Sequence, residues 1–306
     1  MATLENVFSW SISRDANFRR CPRQYFFTYY GSWGGWERGA NQRTRALYVL
    51  KQLRGRKAWA GENVHNAIRY SLSAIRDGGS LFSPESVVEQ TLQNMRSAWR
   101  DSGEGLYWEN PKKYCALWEH ELDIEIPDEE WKATVDHALN CLKTFFASET
   151  FQMIASLPRD DWLELEDLSS FDLNGTKIWV QLDFAHRDGD GIAIYDWKTG
   201  RADRETTRQQ LACYILYAAQ RWRIAPEKII AREYNLAANS LHETRLTAEE
   251  IPALIESLNA SANELARLHG CDEESFPLAA DEAACKSCNF LRVCPRWLND
   301  LDGGAE

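Results

Sequence analysis

The 306-residue sequence contains no apolar run approaching the ~20 residues that a membrane helix needs, and a membrane partner is not expected. Its first residues, MATLENVFSWSISRD, lack both the cationic start and the apolar stretch of a secretory leader, so the expected location is cytoplasmic. Internal repeats, low-complexity tracts and an obvious linker are also missing. One compact domain over 1–306 is therefore expected. Basic charge is in deficit, with 35 Lys and Arg against 46 Asp and Glu and a formal net charge of -11. If evenly spread, that balance would argue against a protein that coats nucleic acid. The composition, 44% hydrophobic and 26% charged, fits an ordinary folded domain.

The charge is not evenly spread. Residues 1–57 hold eleven basic and three acidic residues, a balance of +8, which leaves -19 on the rest. The basic residues are interleaved with Phe18, Tyr25, Phe26, Phe27, Tyr29, Tyr30, Trp33 and Trp36. Bases stack on aromatic rings while cations follow phosphates, so the segment suits single-stranded nucleic acid, with Arg19, Arg20, Arg23 and Tyr25 as candidate contacts. A solvated basic face over an aromatic core is the plainer reading.

Hydrophobic period predicts a helix over 59–76, a second from Ser83-Pro84 to about Arg100, and a long third over 129–156. These helices frame an insertion over 77–160. Strands are predicted at Trp162 to Leu168, Lys177 to Ala185 and Ile192 to Trp197, the last two joined by the turn Arg187-Asp188-Gly189-Asp190-Gly191. A helix from about Glu205 to Arg223 leads to a strand from Lys228 to Asn235. Thr247 and Glu250 form a capping box for another helix, with Gly270 as its stop. The pattern is mixed α/β with a crossover helix.

Chemistry concentrates in the hairpin. With the turn near residue 189, Asp183 falls opposite Asp196, and the strand period puts Asp196 and Lys198 on one face with Trp197 on the other. Adjacent carboxylates repel unless a cation lies between them, and a hard divalent ion prefers oxygen ligands. Such a site suits phosphodiester hydrolysis, with Lys198 orienting water or neutralising phosphoryl oxygens. A chance acid and lysine pair on a surface hairpin is the alternative.

Eight cysteines in a reducing compartment point to metal or redox chemistry rather than disulfides. Cys285, Cys288 and Cys294 form C-x2-C-x5-C, one ligand short of a four-thiolate site, and Cys21 is the best fourth. Arg20-Cys21-Pro22-Arg23 is echoed by Val293-Cys294-Pro295-Arg296. The remaining Cys115, Cys141, Cys213 and Cys271 are expected to be ordinary buried thiols. Spacing alone leaves zinc and an iron-sulfur cluster both open.

Gly61 to His65 as G-x-x-x-H, Asp183, the Asp196-Trp197-Lys198 strand and the Gln210 to Tyr214 helix occur in this order, and together they resemble the RecB-like branch of the PD-(D/E)XK nucleases. Gln181 and Leu182 stand where that branch commonly has a glycine before the aspartate. The resemblance implies a restriction-endonuclease-like α/β fold, a mixed central sheet flanked by helices, carrying a helical insertion. It further implies that His65, Asp183, Asp196 and the Trp197 carbonyl hold Mg²⁺ or Mn²⁺, that Lys198 is catalytic, that Gln210 and Tyr214 are positioning residues, and that Glu166 supports them. The N-terminal cysteine in CPRQYFF with three near the C-terminus resembles the iron-sulfur members, the CRISPR-associated RecB-like exonucleases and AddB-type nuclease domains. That resemblance implies a [4Fe-4S] cluster on Cys21, Cys285, Cys288 and Cys294 joining the chain ends, with Zn²⁺ the lesser alternative.

On this reading the single domain comprises a basic and aromatic segment over 1–58, the insertion over 77–160, a catalytic core over 161–236 and a cluster-binding segment over 270–297. The implied function is a metal-dependent DNase, a single-stranded DNA exonuclease in CRISPR adaptation, DNA repair or antiviral defence, with integrase-like or helicase-like protein partners. The alternatives are a noncatalytic subunit that binds DNA ends within a larger complex, and a cluster-based redox or sensing protein.

Overall fold

In the computed structural model, residues 4–79, 83–201 and 204–296 are described. Residues 80–82 of the expected insertion and residue 297 of the expected cluster-binding segment lie outside them. The chain separates into two compact units. Met1–Gly55, Ala98–Glu125 and Ser261–Glu306 make the first, and Arg56–Ser97 with Ile126–Ala260 the second. The segment 77–160 is thereby shared between the two.

Helices α1 (Ile12–Arg20), α2 (Pro22–Phe26) and α3 (Gln42–Leu50) open the first unit. Ser11 caps α1 by accepting from the Arg14 N–H, and Pro22 starts α2 at a position that needs no N–H donor. Helix α4 (Arg56–Arg76) begins the second unit, and α5 (Pro84–Gly103) follows with Ser83 accepting from the Ser86 N–H. The chain re-enters the first unit at Ala98 within α5, and the one-turn α6 (Trp118–Glu121) also belongs to that unit, where Phe27, Leu47, Leu50, Leu53, Tyr107 and Phe290 form a shared core.

The long helix predicted over 129–156 is two helices, α7 (Asp128–Ala147) and α8 (Glu149–Ser156). Ser148 adopts extended backbone between them and its hydroxyl caps α8 through the Phe151 N–H. Apolar period persists across such a break, so period alone does not reveal it.

Strands β1 (Trp162–Leu165), β2 (Leu168–Leu173), β3 (Thr176–Gln181), β4 (Phe184–Asp188) and β5 (Gly191–Lys198) follow, then α9 (Arg204–Trp222), β6 (Ile229–Asn235), β7 (Ser240–Thr244) and α10 (Glu250–Ala266). The main sheet has the order β1-β4-β5-β6-β7, with β5 and β6 parallel and every other pair antiparallel. β2 and β3 pair separately. Every residue of β5 from Ile192 to Trp197 is buried, as a central strand beside a parallel neighbour requires. A parallel pair needs a crossover, and α9 supplies it, its residues from Leu211 to Ala218 all buried. At α10 the capping box closes as expected, the Thr247 N–H donating to Glu250 Oε2 (2.9 Å) and the Glu250 N–H to Thr247 Oγ1 (3.3 Å).

Two predicted strands are each broken at the same level. Trp162 to Leu168 divides into β1 and β2 around Glu166, and Lys177 to Ala185 divides into β3 and β4 around Leu182 and Asp183. Glu166 takes a left-handed φ of 54°, and its N–H donates to the carbonyls of both Leu182 (3.0 Å) and Asp183 (3.2 Å). A non-glycine residue in that region is uncommon and marks a position that the surroundings enforce. The ribbon therefore kinks there, and the kink brings two carboxylates to one place.

Candidate metal and catalytic site

All of the carboxylate constellation lies in the second unit. Asp183 sits one residue before β4, where Phe184 pairs with Tyr195, and this register continues to set Asp183 against Asp196. Asp183 Oδ2 accepts the Trp197 N–H at 2.6 Å, which fixes the carboxylate across the strand pair. His65 comes from α4, and Gly61 one turn earlier explains how. A Cβ at Gly61 would stand 2.9 Å from Thr199 Oγ1, so glycine lets α4 approach the segment after β5.

His65 Nδ1 lies 3.3 Å from both Glu166 Oε1 and Asp183 Oδ1. Ligand atoms of His65, Glu166 and Asp183 all fall within 4.8 Å of one another, a group capable of holding a divalent metal ion. Gln181 Nε2 donates to Glu166 Oε2 (3.2 Å) and carbonyl (3.2 Å), holding that side chain toward the site. Glu166, expected only to support the site, thus stands among its potential ligands. Its kinked backbone is what brings it there, and no pattern in the sequence signals the kink.

Asp196 is engaged differently. Its Oδ2 lies 2.6 Å from Lys198 Nζ, which in turn donates to Gln210 Oε1 at 3.0 Å. The Gln210 amide donates to the Tyr214 hydroxyl at 2.6 Å, one turn along α9. Asp196, Lys198, Gln210 and Tyr214 therefore form one connected row. Trp197 points to the other layer, against Phe145, Tyr195 and Tyr234.

Charge at the site is strained. Burial, then the neighbouring Asp183 carboxylate, push the Asp196 carboxyl up to about 7 despite the Lys198 ammonium. Burial opposes charge on His65, but Asp183 and Glu166 together outweigh it and hold the imidazole well above its ordinary value. Burial chiefly, and Asp183 after it, also raise Glu166. Buried carboxylates that need an imidazolium and an ammonium beside them are suited to a divalent cation. Two carboxylates and one imidazole make a donor set able to coordinate a divalent metal ion.

In the first unit, Cys21, Cys285, Cys288 and Cys294 line one cavity, together with apolar Phe27, Leu278 and Phe290. Backbone N–H groups of Gln24 and Phe290 donate to Cys21 Sγ (3.4 Å) and Cys288 Sγ (3.5 Å), and Arg296 Nη1 lies 3.9 Å from Cys285 Sγ. Burial first, then Cys21 and Cys294, push the Cys288 thiol up to about 12. Of the other cysteines, Cys141 and Cys213 are buried as expected, whereas Cys115 and Cys271 are partly exposed.

The sequence model of the PD-(D/E)XK nuclease superfamily matches residues 9–295. The chain belongs to the PD-(D/E)XK nuclease superfamily. Its mixed sheet with flanking helices is the restriction-endonuclease-like core of that family. No curated protein matches the chain. Among solved structures, the crystal structure of SSO0001 is similar at 18% identity and a TM-score of 0.30, over 58% of this chain and 78% of that one. Among the described residues of this PD-(D/E)XK protein, no helix is long and apolar enough to cross a membrane.

The candidate nucleic-acid contacts of this superfamily member all lie in the first unit. Tyr25 is fully buried against Phe18, Tyr29, Tyr30 and Phe276, so its ring is core and offers no face to a base. Arg23 pairs with Glu273 at 2.8 Å and donates to the Phe276 carbonyl, which leaves it mostly buried. Arg19 is half-exposed but paired with Asp15 and Glu264, and Arg20 donates to Ser287 Oγ and the Ala284 carbonyl. These arginines tie the N-terminal helices to the C-terminal segment.

Proposed function

We propose that this PD-(D/E)XK protein is a metal-dependent deoxyribonuclease that hydrolyses phosphodiester bonds, acts on single-stranded DNA and degrades it from an end. The observation that carries the reading is Lys198 held between Asp196 and Gln210 in the same unit as the His65, Glu166 and Asp183 group. Mg²⁺ or Mn²⁺ on that group would supply Lewis acidity to a phosphoryl oxygen and a bound water of lowered pKa. Imidazole among the ligands favours Mn²⁺ over Mg²⁺.

The chain's own residues do the rest. Lys198 presents a point cation to the phosphoryl oxygens, where charge grows in the transition state. Gln210 fixes that ammonium, and Tyr214 fixes Gln210 by accepting one amide proton, so that the carbonyl oxygen faces the lysine. Trp197, through its N–H, holds Asp183 in place. The aromatic and basic first 57 residues support a single strand as substrate.

We further assign the four-cysteine cavity of the first unit to a [4Fe-4S] cluster. Thiols arranged around an apolar cavity with backbone N–H groups aimed at two sulfurs support that cofactor, and its role is structural.

The test is degradation of end-labelled single strands in Mg²⁺ or Mn²⁺. Cleavage by the unaltered protein that falls by about 10²–10³ in Lys198→Ala is the expected result. Binding of the strand without cleavage in either metal would instead favour the noncatalytic, end-binding subunit.

A further inference from the structure

One surface of the first unit combines exposed indoles with cations that, among the described residues, no carboxylate pairs with. Trp33 and Trp36 are 38% and 37% exposed and meet edge to face at 5.1 Å. Trp36 also meets the Tyr48 ring at 5.8 Å. Around that same tyrosine ring stand Arg45 Cζ at 5.8 Å, Lys51 Nζ at 5.2 Å and Lys112 Nζ at 5.9 Å from its centroid.

The arrangement is built rather than incidental. A Cβ at Gly35 would fall 2.3 Å from Tyr48 Cβ and 2.6 Å from the Thr44 carbonyl oxygen, so only glycine lets the Trp33 to Trp36 turn press onto α3. Arg45 Nη1 donates to the Gly35 carbonyl (3.3 Å), and Nη2 to those of Trp108 (3.3 Å) and Glu109 (3.2 Å). Neutral carbonyls orient the guanidinium and leave its charge in place. Among the described residues, Arg45, Lys51 and Lys112 make no ion pair, and the polar partner of Lys112 is the neutral Gln52 amide at 3.3 Å.

Packing of a lysine stem on a ring explains one cation there, but not three crowded together without an acid. Burial, and after it the charges of Lys112 and Arg14, lower Lys51 to about 8. A bound anion would relieve that crowding. Exposed indoles add stacking faces, and a chain that alternates flat rings with phosphates uses both features.

We propose that Trp33, Trp36 and Tyr48, with Arg45, Lys51 and Lys112, form a binding platform for single-stranded nucleic acid. The indoles stack bases, the Tyr48 ring is the floor, and the three cations hold backbone phosphates. The platform deepens the nuclease reading and rests on it for the kind of substrate.

The test is fluorescence anisotropy with a labelled oligothymidylate of about twelve nucleotides, in EDTA so that no cleavage occurs. Trp33→Ala/Trp36→Ala and Lys51→Ala/Lys112→Ala should each weaken binding on the order of ten-fold or more. The lysine pair should also reduce the slope of log affinity against log salt by about 1 to 2. Trp33→Phe/Trp36→Phe, which keeps flat rings, should restore most of the affinity, and unchanged thermal midpoints would show that the folds are intact. Folded variants that bind as the unaltered protein does would overturn the platform. Equal affinity for a blunt duplex of the same length would overturn it too. Metal-dependent cleavage by the unaltered protein is scored separately. Its absence would defeat the nuclease reading, while unchanged binding in the variants defeats only the platform.

Discussion

His65 Nδ1 and Glu166 Oε1 lie 3.3 Å apart across 101 residues of chain, and the contact depends on the left-handed turn at Glu166. Because Glu166 stands with His65 and Asp183 in one ligand group, we expect Glu166→Gln to weaken Mn²⁺ binding by roughly 10–100-fold or more. Calorimetric titration of the metal would measure it. An unchanged affinity would return Glu166 to a merely supporting part. Replacing Glu166 with glycine would relieve the backbone but remove the ligand, so it should not rescue affinity.

The same group makes metal binding and stability depend on pH. The His65 imidazole is raised, so its interaction with Asp183 and Glu166 stabilises the fold fully below about 6.5 and is lost as pH rises through the folded value. Asp196 acts in the same direction. Its carboxyl moves from 3.8 unfolded to about 7 folded, so the folded chain binds the proton more tightly and stability falls as pH rises across that window. A ligand imidazole must be neutral, so an ion has to displace the His65 proton, and metal affinity should strengthen as pH rises. Titrations in buffers of different ionisation enthalpy should report about one proton released per Mn²⁺. His65→Asn should abolish that release.

The row from Asp196 to Tyr214 predicts graded effects. Lys198→Ala should lower the cleavage rate by about 10²–10³ with strand binding retained. Tyr214→Phe removes the acceptor of the Gln210 amide, leaving a donor unsatisfied at a cost of about 1–3 kcal/mol. With the amide no longer fixed, Lys198 loses its aim, and we expect kcat to fall about ten-fold while KM barely moves. A change confined to KM would show that Tyr214 touches the strand instead.

Much of this site is legible in the sequence because strand period and turn position are local. The turn at Gly189 sets the register, so the relative positions of Asp183, Asp196 and Lys198 follow from the residues alone. The spacing of Gln210 and Tyr214 likewise gives one helix face. What stays hidden is non-local. The kink that recruits Glu166 comes from its N–H meeting two carbonyls on the facing strand, and nothing in the run Leu165-Glu166-Asp167 encodes it as a glycine turn would. β7 escapes notice because Ser240 to Thr244 is an exposed edge strand with little apolar alternation. Tyr25 shows the opposite failure. Basic and aromatic residues alternate there as in a nucleic-acid platform, yet the helix faces divide them, and the tyrosine goes to the core. Tyr25→Ala should therefore destabilise the first unit by about 3–5 kcal/mol, read as a lower thermal midpoint, with no specific loss of strand affinity at temperatures where it remains folded.

The cysteine cavity yields the last prediction. Cys21 precedes α2, while Cys285, Cys288 and Cys294 lie far along the chain, so a cofactor on all four closes a long loop. Closing such a loop by a cross-link is worth about 2–4 kcal/mol, and metal binding that requires the fold adds to its stability. We expect anaerobically purified protein to be brown and to contain iron and acid-labile sulfide. Cys288→Ser should lose both and melt at a lower temperature. Cys271→Ser should keep both, since Cys271 contacts the Arg267 carbonyl and is not part of the cavity. A colourless protein with stoichiometric zinc would replace the cluster by a single ion at the same cysteines. Retained folding and stability in Cys288→Ser would remove the structural role altogether.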